Sequence, residues 1–315
     1  MSVRVSGIGV IAPGVREVAD LGSVAPAPAV GEDWFDPVPY LGARGWKYLT
    51  PATRHLLAAA NTAVGRRPGE PAPSWRRPER VGVTTGTHHG IGALHARLDR
   101  TFQEEGLSGL SPAELPGFSV NIPASQLAIA LSCQAFSVTF TNPVVSGLEA
   151  VSHAVAAIRR GRADRVFAGA TEDAAPNGST LGGAAVLHLE ASSEPGPEII
   201  GGASRFLPVR AGGQPDPSAL AAAVQRVAKL AGASENIRYA FCGPDSMAAA
   251  DEAVRGELAG RLVEDGPAVG ADAGFGAVSA MLQLAWILRD PGPGLVLAAS
   301  EDGHLVAVAT RGEAA

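Results

Sequence analysis

The sequence predicts an α/β fold, a layered arrangement of sheets and helices built from two related halves. Three observations carry that prediction. Short runs rich in β-branched and aromatic residues alternate with segments whose apolar residues recur at helical spacing. One segment, Gly274 to Arg289, has helical character and is apolar nearly all round (Phe275, Val278, Met281, Leu282, Leu284, Trp286, Ile287, Leu288), which suits a helix covered on every side. A pattern also occurs twice. Gly147-x-x-Ala150-Val151-Ser152, a helix and then Phe167-Ala168-Gly169-Ala170-Thr171-Glu172-Asp173 return as Gly274-x-x-Ala277-Val278-Ser279, a helix and Leu297-Ala298-Ala299-Ser300-Glu301-Asp302. The shift is 127 residues at the helix start (Gly147 to Gly274) and 129 at the strand end (Glu172 to Glu301). The halves are expected at 1–190 and 191–315, forming one compact unit.

In chain order, residues 3–12 alternate and turn at Pro13-Gly14, a first strand. Residues 15–40 are rich in Pro, Ala and Gly and read as irregular. Thr50 followed by Pro51 is an N-cap with proline at the first helical position, so a helix is expected to about Val64. A Pro-rich link leads to a strand at 80–85. Gly86-Thr87-His88-His89-Gly90 then reads as a strand-to-helix turn, because paired histidines without a third ligand do not predict a metal. Residues 107–126 are Pro/Gly/Ser-rich with apolar points at Leu110, Leu115, Phe118 and Ile122, and 125–131 is a short helix.

Ser137 to Asn142 is a strand stopped by Asn142-Pro143. Leu148, Val151, Val155 and Ile158 recur at helical spacing, and Gly161 closes that helix. Strands follow at 166–170, 184–189 and 198–205, then a helix at 217–231, a strand at 237–242 and a helix at 248–262. A short strand or turn at 267–271, the buried helix at 274–289 and a hairpin of 294–300 with 305–311 complete the chain.

Composition narrows the functional classes. At 315 residues and 46% apolar content, the chain can bury roughly three-quarters of its unfolded surface. A net charge of −6 leaves no nucleic-acid footprint, and no run reaches the ~20 apolar residues of a membrane span. The N-terminus opens on a strand rather than a charged-then-apolar leader, which predicts a cytoplasmic protein. Cys133 and Cys242 have no ligand partners at metal-binding spacing, so neither metal nor cofactor is expected.

Residues 137–190 resemble the active-site segment of ketosynthases, the condensing enzymes of fatty-acid and polyketide synthesis. Their turn reads T-A-C-S-S-G-L-D-A, followed by a helix and R-x-G-x-A-D-x-x-x-A-G-A. Here the run is Asn142-Pro143-Val144-Val145-Ser146-Gly147-Leu148-Glu149-Ala150, with Arg160-Gly161-Arg162-Ala163-Asp164 and Ala168-Gly169-Ala170 behind it. The resemblance implies a thiolase-like fold of two halves in αβαβα layers. It also sets Val144 where the family has its nucleophilic cysteine. The two family histidines align with Cys242, in Cys242-Gly243-Pro244-Asp245-Ser246, and with Ala271, in Gly270-Ala271-Asp272-Ala273-Gly274. An isopropyl group has no lone pair and forms no thioester, so all three catalytic positions read as lost.

The chain is therefore similar to the inert chain length factor of type II polyketide synthases. That resemblance implies a heterodimer with an active ketosynthase, paired through strand 137–142 and working on chains carried by an acyl carrier protein. Phe118, Ile122, Phe140, Val144 and Val145 are the tunnel or interface candidates. Arg159, Arg160, Arg162 and Arg165 read either as a solvated helix end or as a docking patch for the acidic carrier protein. Two rival readings stay open: an acyltransferase or thioester hydrolase using Cys242 or Ser146, and a homodimeric acyl-binding protein.

Overall fold

The computed structural model describes residues 2–15, 17–22, 34–175, 180–208, 215–264 and 274–312. The first half contains β1 (Ser2–Ile11), α1 (Val38–Leu41), α2 (Pro51–Ala63), β2 (Val81–Gly86), α3 (Gly92–Glu105), α4 (Ile122–Ala130), β3 (Ser137–Phe140), α5 (Ser146–Arg159), β4 (Arg165–Glu172) and β5 (Gly183–Ser192). The second half contains β6 (Glu198–Phe206), α6 (Pro217–Ala231), β7 (Ile237–Cys242), α7 (Ala248–Glu257), β8 (Leu262–Glu264), α8 (Ser279–Arg289), β9 (Gly294–Ala299) and β10 (His304–Arg311). Local chemistry accounts for the helix starts. Thr50 accepts from the Thr53 N–H ahead of Pro51, and Asp216 accepts from the Ser218 and Ala219 N–H groups ahead of Pro217. Gly161, at φ +66°, ends α5.

Ten strands run in the order β3-β2-β4-β5-β1-β6-β10-β9-β7-β8. Read inward from either end, the two blocks of five have one topology. The second strand of each half lies parallel to the third and fourth, and the fourth, fifth and first are antiparallel in turn. The repeat in the sequence is thus a repeat of topology. The blocks meet at a single bridge, Arg4 opposite Glu198. Helix α5 packs on β2 and β4 and also touches β6 and β10, while α8 packs on β7 and β9 and also touches β5 and β1. Both therefore lie between the sheet blocks, and every residue of α8 from Ser279 to Leu288 is buried. Helices α2 and α4 cover one outer face, α6 and α7 the other. The result is five layers, αβαβα.

Several boundaries differ from expectation; α4, for one, begins at Ile122 rather than at Ser125. The helix expected over 248–262 stops at Glu257, and Leu262–Glu264 is a strand parallel to β7. Gly256 weakens the helix end, Gly260 takes φ +79°, and the unpaired edge of β7 recruits the next three residues. The buried helix opens with a 3-10 turn, Gly276–Val278, before α8 begins. The segment expected at 267–271 lies outside the described residues. Among the described residues no helix is long and apolar enough to cross a membrane.

Candidate functional site: an aliphatic elbow and a buried carboxylate

The chain leaves β3, passes Pro143 and turns sharply at Val144. Val144 has φ +63°, and the Val145 N–H donates to the Pro143 carbonyl at 2.6 Å across it, a three-residue γ-turn. A β-branched residue in the left-handed region is strained by roughly 1–3 kcal/mol. Surrounding contacts hold the turn in place. Asn142 Nδ2 donates to both oxygens of Glu149, at 2.9 and 3.0 Å. A Cβ on Gly86 would lie 2.4 Å from the Gly147 nitrogen, and one on Gly147 would lie 2.5 Å from the Ala277 carbonyl oxygen. Only glycine lets β2, the start of α5 and the entry to α8 approach this closely.

The elbow thus mounts residue 144 at the N-terminus of a buried fourteen-residue helix, where a thiolate would be stabilised. The side chain there is aliphatic, half-buried and packed on the central core. Val145 and Ser146 behind it are fully buried, and among the described residues no hydrogen-bond partner reaches Ser146 Oγ. Cys242 ends β7 opposite Ala298, fully buried in the same core cluster, and Ala271 lies outside the described residues.

Beside the elbow lies a group that sequence reasoning passed over. Glu172, at the end of β4, is fully buried. Its Oε1 accepts the N–H of His88 at 2.8 Å and of Ala277 at 3.1 Å. Its Oε2 accepts the N–H of His89 at 2.6 Å and the Thr87 hydroxyl at 3.3 Å. Burial pushes this carboxyl up to about 7, against the pull of the donors around it. One side chain thereby ties the ends of β2 and β4 to the entry of α8. The available signal was an acidic residue closing an otherwise apolar strand.

The other expected residues are spread around the elbow. Phe140 ends β3, half-buried against the His153 ring (5.6 Å between centroids). Phe118 is about half exposed, stacked on His95 at 3.9 Å, and Ile122 opens α4. His88 and His89 meet edge to face at 4.4 Å, and the His88 ring contacts the Thr141 carbonyl. Among the described residues no cluster of three potential metal ligands exists. Arg159, Arg160 and Arg162 are exposed at the end of α5. Arg165 is engaged, 3.3 Å from Glu190 and over the Trp75 ring.

Burial of titratable groups sets an acid response. His55 and His188 are pushed down to about 4 by burial, from 6.5. Their neutral forms stabilise the fold above pH 6.5, and that contribution is lost as pH falls toward 4. Glu172 acts oppositely: its folded value exceeds the unfolded 4.5, so its contribution is full below pH 4.5 and lost as pH rises through about 7. Four histidines lowered by burial, His89 and His153 being the other two, oppose one raised carboxyl, so the chain is expected to lose stability between pH 7 and 4.5. Urea midpoints at the two pH values measure it, and a midpoint that holds or rises on acidification counts against the assignment.

A five-layered fold with a nucleophile-type elbow at the head of its central helix is the architecture of the condensing enzymes. The sequence matches the family described as beta-ketoacyl synthase, N-terminal domain, over residues 35–197, just over half of the chain. The chain belongs to the β-ketoacyl synthase family. Solved structures agree on the fold. The ishigamide ketosynthase/chain length factor superposes with a TM-score of 0.77 at 19% identity, covering 100% of both chains. A type II PKS acyl carrier protein in complex with its ketosynthase bound to the hexaketide gives 0.75 at 20% identity, covering 99% of both chains. The oxazolomycin ketosynthase domain KS8 from Streptomyces albus JA3453 gives 0.66 at 14% identity, covering 99% of this chain and 95% of that one. A search of curated proteins finds no match.

Proposed function

We propose that this chain is a non-catalytic ketosynthase-like subunit of the chain length factor kind. In this reading it pairs with an active ketosynthase and shapes the acyl tunnel during polyketide or fatty-acyl elongation on an acyl carrier protein. The observation that carries the reading is Val144: a tight turn at the head of α5, at the position of the family's nucleophile, carries a side chain unable to accept an acyl group. Two of the solved structures that this chain resembles, a ketosynthase/chain length factor and a carrier protein in complex with its ketosynthase, support the choice of partners. Phe140, at the end of the edge strand, and Val144 and Val145, in the turn after it, are the candidates for facing the partner's chain, together with Phe118 and Ile122. The exposed Arg159, Arg160 and Arg162 are the candidates for carrier docking. The halves 1–190 and 191–315 would move as one body, since the Glu172 cage spans both.

The test is covalent chemistry. Incubation with acyl and malonyl thioesters, followed by peptide mapping, is expected to find no adduct on the wild-type chain. An adduct on Cys242 or Ser146 would instead establish the acyltransferase or hydrolase reading. Val144→Cys should restore a reactive thiol at the helix N-terminus. Near neutral pH its alkylation by iodoacetamide should outpace that of Cys133 at least tenfold, because burial pushes the Cys133 thiol up to about 12. Equal labelling of the two would mean that the elbow no longer activates what it carries.

A further inference from the structure

A cavity of about 160 Å³ opens on the outer face of the first half, away from the elbow. Its floor is apolar, made by Leu41, Leu49, Leu57 and Ala130. Tyr40 and Trp46 stand at its sides, and Arg44, Arg66 and Arg67 line it as well, with no Asp or Glu among the lining residues. In a chain of net charge −6, this corner has the opposite sign.

The walls are fixed before any ligand arrives. The Trp46 indole N–H donates to the Gly42 carbonyl at 2.7 Å, and the Arg54 guanidinium lies over its ring at 5.1 Å. Arg66 is clamped by the loop that follows it. It donates to the Glu70 and Pro71 carbonyls and, through Nη1, to Oδ1 of the buried Asn61 at 3.1 Å; Asn61 in turn donates to the Tyr40 carbonyl. Its acceptors among the described residues are all neutral, so none of them cancels the Arg66 charge. The nearby Glu70 carboxylate accepts the Arg67 backbone N–H at 2.9 Å. The guanidinium groups of Arg44 and Arg67 make no hydrogen bond or ion pair among the described residues.

We propose that this cavity binds a small organic anion: one ring-sized apolar body carrying a single carboxylate or phosphate. The volume fits about one benzene ring, the size of occupant known for apolar cavities near 150 Å³. The apolar floor would receive that body. Planar guanidinium forks match a carboxylate or a phosphate in bidentate fashion, and Arg44 and Arg67 have their donors to spare. A rigid wall lowers the entropy lost on binding. The site lies on the outer α layer and does not depend on the subunit reading above.

The experiment is calorimetric titration of the full chain with benzoate, phenyl phosphate, benzyl alcohol and inorganic phosphate. Benzoate or phenyl phosphate is expected to bind saturably in the millimolar range or tighter, with affinity falling as salt rises. Benzyl alcohol, without the charge, and inorganic phosphate, without the ring, should each bind at least tenfold more weakly. The double variant Arg44→Ala/Arg67→Ala should lose at least tenfold, the scale of a lost charge-assisted hydrogen bond. Both side chains are exposed, so the fold should be retained, and circular dichroism checks it. Ala130→Leu, which fills the floor, should weaken benzoate with all three arginines in place. Absence of saturable binding, binding indifferent to the double variant, or inorganic phosphate binding as well as benzoate would overturn the proposal.

Discussion

Replacing Glu172 with alanine is expected to leave little folded protein. The carboxylate receives three backbone N–H groups and one hydroxyl in a site closed to solvent. Truncation strands all of them. At about 1–3 kcal/mol for each buried unsatisfied donor, and with a cavity left where the side chain was, the loss exceeds about 5 kcal/mol. That is comparable with the whole stability of many domains. Glu172→Gln keeps the shape and one acceptor oxygen but turns an NH2 group toward donors already present. Its loss should be smaller, about 2–3 kcal/mol, and its unfolding should lack the Glu172 share of the pH dependence. Urea unfolding followed by circular dichroism measures both. A loss below about 1 kcal/mol for the alanine variant would mean that the cage is not what joins the halves. The expected damage reaches the elbow, because the same carboxylate positions Ala277, whose carbonyl presses against Gly147.

How much of this was legible in the sequence follows from the range of the forces involved. Helices with local signals were read nearly to the residue: Thr50-Pro51 opens α2, and 217–231 matches α6 at both ends. The doubled pattern exposed the doubled topology because a buried helix and its strands repeat as a unit. Strand β8 was missed, since three residues on a sheet edge carry no period, and Ala, Glu and Arg before them favour helix. The elbow was found through Val144 in its motif, but not its left-handed turn, which packing around Gly86 and Gly147 imposes on a residue that disfavours it. Glu172 had no readable role because three of its four partners are backbone N–H groups 83 to 105 residues away, and such groups leave no mark on composition. The arginine-lined cavity is hidden for the same reason: Tyr40, Arg67 and Ala130 come together only when α1, α2 and α4 pack.

A proline at Thr139 should leave the chain folded and abolish the proposed pairing with a ketosynthase. Strand β3 is one end of the ten-stranded order, hydrogen-bonded on one side to β2. Val83 and Thr87 of that neighbour donate to the carbonyls of Phe136 and Phe140. In a parallel ladder with Ser137 opposite Val83, the backbone groups of Val138 and Phe140 therefore face β2, and those of Ser137 and Thr139 face away. Thr139→Pro removes an outward N–H and adds a ring on that side, while the rungs to β2 stay intact, the one arrangement in which a strand tolerates proline. The cost within the chain is the long Thr85–Thr139 hydroxyl contact at 3.4 Å, so unfolding free energy should fall by no more than about 1 kcal/mol. Val138→Pro is the contrast: it deletes a rung inside the sheet and should destabilise the chain itself. Light scattering of the chain alone and co-expressed with a candidate ketosynthase reads the assembly. A seam of this kind buries ~2,000 Å² or more in obligate dimers, so one disrupted strand at its centre should dissociate it at micromolar concentration. If Thr139→Pro still co-purifies with the partner as the wild type does, β3 is not the seam, and the proposed pairing through this strand falls.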